Sequence, residues 1–171
     1  MGQLYWLLGP EVKLKRILLI LIFLAACGAA RAQDARSPSL GQTVYLPIYS
    51  SMLFGNLSRG GVPSRVLLSA MVSIRNTDPS RVVRLKSVRY IDSAGKLLRE
   101  YLQEPATMEP LSTREYFVEL HDDSGGAGAN FLVRWEADTP TSPPLLEAIH
   151  ANLDSARGVV FITQGISVST P

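Results

Sequence analysis

The sequence predicts an all-β protein: an antiparallel β-sandwich of about seven to eight strands, immunoglobulin-like in layout. Three observations predict it. After position 42, apolar residues recur with a period of two, the spacing that sends alternate side chains to opposite faces of a sheet. The alternating segments are short and are separated by clusters of Gly, Pro, Asn, Asp and Ser, residues that favour turns. No helical period follows the N-terminal segment, and no repeat of solenoid length is present.

Each element can be justified in turn. Residues 43–49 form a strand with Val44, Leu46 and Ile48 on one face and Tyr45, Pro47 and Tyr49 on the other. Pro47 cannot donate to a ladder, so its nitrogen must face an edge or point outward. Residues 50–64 contain Gly55, Gly60, Gly61 and Pro63 and read as loop. Met52, Leu53 and Phe54 within it are expected to plug the underside of the loop, because exposed apolar clusters are uncommon.

Residues 65–91 are the stretch around which the rest is organised. Two strands are expected there, joined as a hairpin by the polar turn Asn76-Thr77-Asp78-Pro79-Ser80. Val66, Leu68, Ala70, Val72 and Ile74 share one face of the first strand. In the second, Val83 and Leu85 are in phase, but Val88 and Tyr90 take the other parity, which predicts a β-bulge near Lys86 and Ser87. Residues 92–95 form a turn and 96–102 a short strand. A connection with Pro105 and Pro110 leads to a strand over 113–120 with Tyr116, Val118 and Leu120 inward. After a polar, glycine-rich loop at 121–129, residues 130–137 alternate most cleanly. Phe131, Val133, Trp135 and Ala137 point in, and Trp135 is expected to anchor the core. Residues 145–153 and 158–168 make the last hairpin.

The N-terminus reads as an address rather than as part of the fold. Lys13, Lys15 and Arg16 precede an unbroken apolar run over 17–26, which ends in Leu24-Ala25-Ala26-Cys27-Gly28. A membrane-spanning helix needs about 20 apolar residues; this shorter run fits the core of an export signal. Small residues before the lone cysteine resemble a lipobox, so Cys27 is expected to be acylated and to become the first residue after cleavage. Ordinary cleavage after Ala32, giving a soluble periplasmic protein, and an uncleaved anchor are the alternatives. Residues 1–26 are then the lipoprotein-type signal, 27–42 a flexible tether rich in Ala, Arg, Ser, Pro and Gly, and 43–171 a single sandwich domain. More than one lipid chain is needed for stable anchoring, at about 0.8 kcal/mol per buried methylene. Gly28 in place of an aspartate favours the outer membrane, by resemblance to enterobacterial sorting.

Charge excludes one class of partner. The chain of 171 residues carries 17 basic and 15 acidic side chains. Removing the signal takes away Lys13, Lys15, Arg16 and Glu11, leaving 14 of each. A near-neutral domain lacks the basic footprint that nucleic-acid binding requires. With one cysteine there is no intrachain disulfide. About 130 residues can bury roughly two-thirds of their unfolded surface without one.

Several segments together resemble a bacterial family, the domain of unknown function 3124, over about residues 42–168. They are Ser73-Ile74-Arg75-Asn76-Thr77-Asp78-Pro79; Val88-Arg89-Tyr90 with Asp92 and Gly95; Gly125-Gly126-Ala127-Gly128-Ala129-Asn130-Phe131 with Trp135; and Pro144 with Glu147-Ala148. The glycine block with its Asn-Phe is the most specific part. The resemblance implies an exported, often lipidated bacterial domain and assigns no chemistry. Members often carry histidines after the first strand. This chain has Ser51, Met52, Leu53 and Phe54 there, so no metal role carries over from those positions.

The candidate functional surface is the loop bearing Asp122, Asp123, Gly125, Gly126, Gly128 and Asn130, with Tyr45 or Tyr49 beside it. Three readings compete. Asp122, Asp123 and Asn130 offer oxygen ligands for calcium, but too few for its six to eight, and the spacing is not that of an EF-hand. The glycine amides could cradle a phosphate, but no helix N-terminus or lysine follows. Lastly, the glycines allow the loop to pass close to another strand or a partner.

Catalytic patterns are weak. His121 and Asp122 are adjacent in sequence and no Gly-x-Ser-x-Gly element accompanies them. His150 sits in an apolar strand. Glu100 with Glu104, and Glu115 with Glu119, read as surface charges. No zinc spacing exists, and no cofactor is implied. The sequence reading is therefore a non-enzymatic interaction or structural module of the cell envelope, tethered to the membrane through Cys27 and partnered by an envelope protein. A periplasmic calcium or small-ligand binder is the alternative.

Overall fold

Period-two patterning becomes twelve strands, with no helix among the described residues. The computed structural model describes residues 37–57, 60–154 and 158–168, which fall within one compact unit, Ser37–Pro171. Cys27 and the expected signal segment lie outside the described residues. In chain order the strands are β1 (Ser39–Ile48), β2 (Ser51–Phe54), β3 (Ser64–Leu67), β4 (Ser69–Arg75), β5 (Val83–Ile91), β6 (Leu97–Glu100), β7 (Ala106–Met108), β8 (Thr113–Val118), β9 (Ala129–Thr141), β10 (Leu145–Asn152), β11 (Val159–Gln164) and β12 (Ile166–Val168).

They form an antiparallel sandwich. A six-stranded sheet runs β12-β1-β9-β5-β6, with β7 also on β5, and a four-stranded sheet runs β11-β10-β4-β8. β2 and β3 pair only with each other. The inner faces meet in one core. Val44, Leu46, Val88, Phe131, Val133 and Trp135 come from the larger sheet, and Ala70, Val72, Ile74, Val118 and Leu146 from the smaller. Trp135 is 1% exposed, as expected of an anchor. All-β patterning is thus borne out. The count exceeds seven or eight for two reasons: the first strand of the 65–91 stretch breaks at Leu68 into β3 and β4 and the last breaks at Gly165 into β11 and β12, and two further short strands, β2 and β7, form in segments expected to be loop and connection.

The expected bulge is present, with the β5–β9 register shifting between Leu85 and Ser87. β1 opens at Ser39 rather than Thr43. Pro47 lies beyond the reach of β12, whose pairing with β1 covers Thr43 to Tyr45, so its missing N–H costs no ladder bond on that side.

Two expectations need correction. The turn at 76–80 does not close a hairpin. β4 pairs with β10 and β8, and β5 pairs with β9, β6 and β7, so the chain crosses from one sheet to the other there. Side-chain chemistry explains the crossing. Asn76 and Asp78 are each 2% exposed. Asn76 Nδ2 shares its two protons among the carbonyls of Arg81 (2.8 Å), Met108 (3.3 Å) and Glu109 (3.0 Å), and Oδ1 accepts from Asp78 N at 3.1 Å. Asp78 Oδ1 accepts from Ser80 N, Ser80 Oγ and Arg81 N, and Oδ2 from Ser142 N. The polar pentapeptide is a buried brace rather than a solvated tip. The Ser80 amide, foremost among these donors, holds the Asp78 carboxyl below its ordinary range.

The second correction concerns the apolar residues at 52–54. They do not plug a loop. β2 and β3 form a projecting hairpin in which Leu53 is 58% and Phe54 52% exposed. Only Ser51 at its base is buried, with Met52 half-buried.

Candidate functional site

The glycine-rich loop is built by contact. Gly125 is buried, and a Cβ there would lie 2.0 Å from the Tyr90 hydroxyl oxygen and 2.8 Å from Ala129 Cβ. Gly126 has φ +73°, the left-handed region that side chains other than glycine's rarely adopt. Four backbone groups of the loop are satisfied within the protein. Gly125 O accepts from Ser93 N (3.0 Å) and Ser93 Oγ (2.8 Å). Gly126 O accepts from Ser50 N (3.2 Å) and Ser50 Oγ (3.0 Å). Gly126 N donates to Asp123 O and Gly128 N to Ser93 Oγ. Ser93 and Ser50 thereby lash the loop to the 92–95 turn and to the end of β1. Close passage is what these glycines provide here, and the amides a phosphate would need at Gly126 and Gly128 are already engaged.

The two aspartates diverge. Asp122 Oδ1 accepts from Ser124 N and Oγ, closing a local turn. Asp123 pairs with Arg65 at 3.1 Å, both side chains about half exposed. Asn130 lies in the β9 ladder opposite Pro47 and Ile91, away from the loop's turn. Among the described residues no three of His, Cys, Asp and Glu gather as a metal site would require.

Asp122 and His121 do share a depression of about 300 Å³ with Arg99, Phe117 and Glu119. It presents both charge signs, an imidazole and one aromatic ring, and no hydroxyl or thiol of the described residues lines it. Behind it stands an aromatic group from both sheets. Tyr101 stacks on Phe131 at 5.3 Å and meets Tyr116 edge-on at 5.0 Å, while Tyr90 packs on Phe131 at 5.3 Å. Burial pushes the Tyr90 phenol up to about 12, against a smaller opposing effect of the Ser50 side chain.

His150 is fully buried in β10. Its Nε2 accepts the Tyr49 N–H at 3.1 Å, so in the neutral ring the proton is on Nδ1. The ring stacks on Phe161 at 4.7 Å and takes the edge of Tyr49 at 5.7 Å. Burial pushes its pKa down to about 4, against a smaller opposing effect of the Ala148 backbone. Tyr49 thus caps this histidine, while its chain neighbour Ser50 reaches the glycine loop at Gly126. The glutamate pairs are on the surface, and Glu100 also accepts from Val88 N at 2.8 Å.

One surface was not singled out from the sequence. Ile162, Ile149, Met71 and Phe117 are directly opposite one another across β11, β10, β4 and β8. They form an apolar row over the outer face of the four-stranded sheet, with Ile162 59% and Phe117 56% exposed. Val160 extends it on the edge strand. The outer face of the six-stranded sheet is different: Arg84 bridges Glu136 (3.3 Å) and Asp138, and Lys86 reaches Glu136 (3.2 Å). The signal in the sequence was the out-of-phase apolar set of each strand, visible one strand at a time. Its alignment into a row depends on pairing.

Among the described residues no helix is long and apolar enough to cross a membrane. The chain is similar to a solved structure titled "Crystal Structure of Thermotoga maritima 1070", at 10% identity and a TM-score of 0.41, over 73% of this chain and 92% of that one. No curated protein matches it. A family model does, over residues 41–168, and the chain therefore belongs to the family described as "Protein of unknown function (DUF3124)".

Proposed function

We propose that this chain is a lipid-anchored domain of the bacterial cell envelope, acting as a non-enzymatic protein-interaction module. The anchor rests on the sequence alone: a basic start, a short apolar run and Cys27 after small residues. The interaction role is carried by the apolar row Ile162–Ile149–Met71–Phe117 on an outer sheet face, where a solitary domain gains nothing by exposing it. The loops are braced to the core rather than opened around a ligand, which leaves sheet faces and edges as the contact surfaces.

Placing a photo-crosslinking residue at Phe117 or at Ile162 in producing cells tests the role. Discrete protein adducts are expected from these positions and not from exposed Leu97 on β6. Absence of any adduct from both positions would overturn the reading. Mass analysis of the mature N-terminus tests the anchor: an acylated Cys27 is expected, and an unmodified Cys27 refutes it.

A second reading draws on the depression lined by Arg99, Phe117, Glu119, His121 and Asp122, whose mixed charge suits a small polar ligand or calcium. It requires calcium or the ligand to raise the melting temperature by linkage. Millimolar calcium is expected to leave it unchanged. A rise that disappears in Asp122→Ala with Asp123→Ala would favour this reading over the first.

A further inference from the structure

We propose that β11 is a pairing edge for a second copy of this chain, which adds its own β11 antiparallel across a two-fold axis and extends the four-stranded sheet to eight strands. The inference rests on the interaction-module reading and adds a contact at the edge of the same sheet, leaving the apolar row on its face open.

β11 ends the four-stranded sheet, and β12, continuing the same strand past Gly165, ends the six-stranded one. Among the described residues no strand pairs with the outer edge of β11. A row of free N–H and C=O groups is a template for another strand, and edges are usually blunted by charge, proline, brevity or cover. The other edges are blunted in these ways. β8 carries Arg114 and Glu115, and the Tyr101 hydroxyl donates to its Phe117 carbonyl at 3.3 Å. β6 is four residues long and carries Arg99 and Glu100. From 159 to 168 there is neither a charge nor a proline. β11 itself, Val-Val-Phe-Ile-Thr-Gln, has the composition of a strand that pairs with its own kind.

Self-pairing is favoured by chemistry and parity. Two copies of an uncharged edge meet without like-charge repulsion, whereas a two-fold contact through β8 would bring its Arg114 and Glu115 close to their own images. In an antiparallel pair, opposed residues point to the same face. Val160 and Ile162 point outward, 58% and 59% exposed. Only a register that sets outward against outward is therefore allowed. Centred on Phe161, it places Val160 opposite Ile162 of the partner subunit and Phe161 opposite the partner's Phe161. The apolar row across β8, β4, β10 and β11 then runs on into the partner's sheet, as an isologous interface requires.

The test uses the full-length chain. A photo-crosslinker at Ile162 is expected to yield a homodimer joined through β11 peptides from both copies. In sedimentation of the detergent-purified chain, the wild type is expected to be dimeric. Val160→Lys with Ile162→Lys, both at exposed positions, is expected to be monomeric and still to melt cooperatively, at a temperature that no longer depends on protein concentration, and Leu97→Lys dimeric. A wild type that stays monomeric, or a dimer that survives the double substitution, overturns the proposal. Should the double variant fail to fold, the crosslink decides alone. An adduct from Ile162 only to a different protein overturns self-pairing and leaves the interaction reading standing. No adduct from Ile162 or Phe117 overturns both.

Discussion

Replacing Gly125 by alanine tests directly whether the glycine loop is shaped by packing. The added methyl would sit 2.0 Å from the Tyr90 hydroxyl oxygen, 2.8 Å from Tyr90 Cζ and 2.8 Å from Ala129 Cβ. Carbon atoms in good contact stand about 3.5–4.0 Å apart, so all three approaches are overlaps. Relief is hard to find. The Tyr90 ring is 1% exposed and packed on Phe131, and Gly125 O is held by Ser93 from two donors. Overpacking typically costs about 1–3 kcal/mol, and three simultaneous overlaps put Gly125→Ala near about 3 kcal/mol. Tyr90→Phe alone removes a buried hydroxyl whose polar neighbour, the Ser50 side chain, meets it in poor hydrogen-bond geometry. Its effect should stay within about 1 kcal/mol of zero. Combined, the two changes abolish the worst overlap and keep the two at 2.8 Å. The double variant should therefore recover about 1–2 kcal/mol relative to the sum, a coupling that a double-mutant cycle resolves. Urea unfolding of the four purified chains measures it. Near-neutral behaviour of Gly125→Ala, or strict additivity in the cycle, would refute packing as the reason for that glycine.

Further outcomes follow from the same structure. Asn76→Ala strips one side chain from three carbonyls and an amide at the sheet crossing, and should lower stability by about 2–4 kcal/mol in urea unfolding. A loss below 1 kcal/mol would mean that the brace is dispensable. Acidification should act in two windows. His150, held near 4 in the folded protein against about 6.5 unfolded, takes up its proton more readily in the unfolded state. Its contribution is full above pH 6.5 and is lost as pH falls toward 4, about 3 kcal/mol in all. His150→Phe should flatten that limb of a melting-temperature profile, and a limb of unchanged slope would assign it elsewhere. Asp78, with its pKa lowered, contributes stability that is present above the ordinary carboxylate range and lost only below it. Asp78→Asn should therefore alter the profile at its acid extreme and leave the slope between pH 5 and pH 7 intact.

Much of this molecule was legible from residues alone. Alternation at 43–49 and 130–137 specified which side chains of β1 and β9 are buried, because a strand has only two faces and the core takes the apolar one. The parity break between Leu85 and Val88 announced the bulge for the same reason. Family membership was legible too, through the Asn-Thr-Asp-Pro and glycine-block segments. Tertiary structure decided matters that depend on neighbours in space. Asn76 and Asp78 have the composition of a solvated turn, and only the carbonyls of Met108 and Glu109 and the amide of Ser142 make them a buried brace between sheets. The glycines at 125–128 have the composition of a ligand cradle, and only the Tyr90 ring, Ser93 and Ser50 show why side chains are excluded there. Ile162, Ile149, Met71 and Phe117 are spread over nearly a hundred residues of chain. Strand pairing, which no local pattern encodes, sets them in one row.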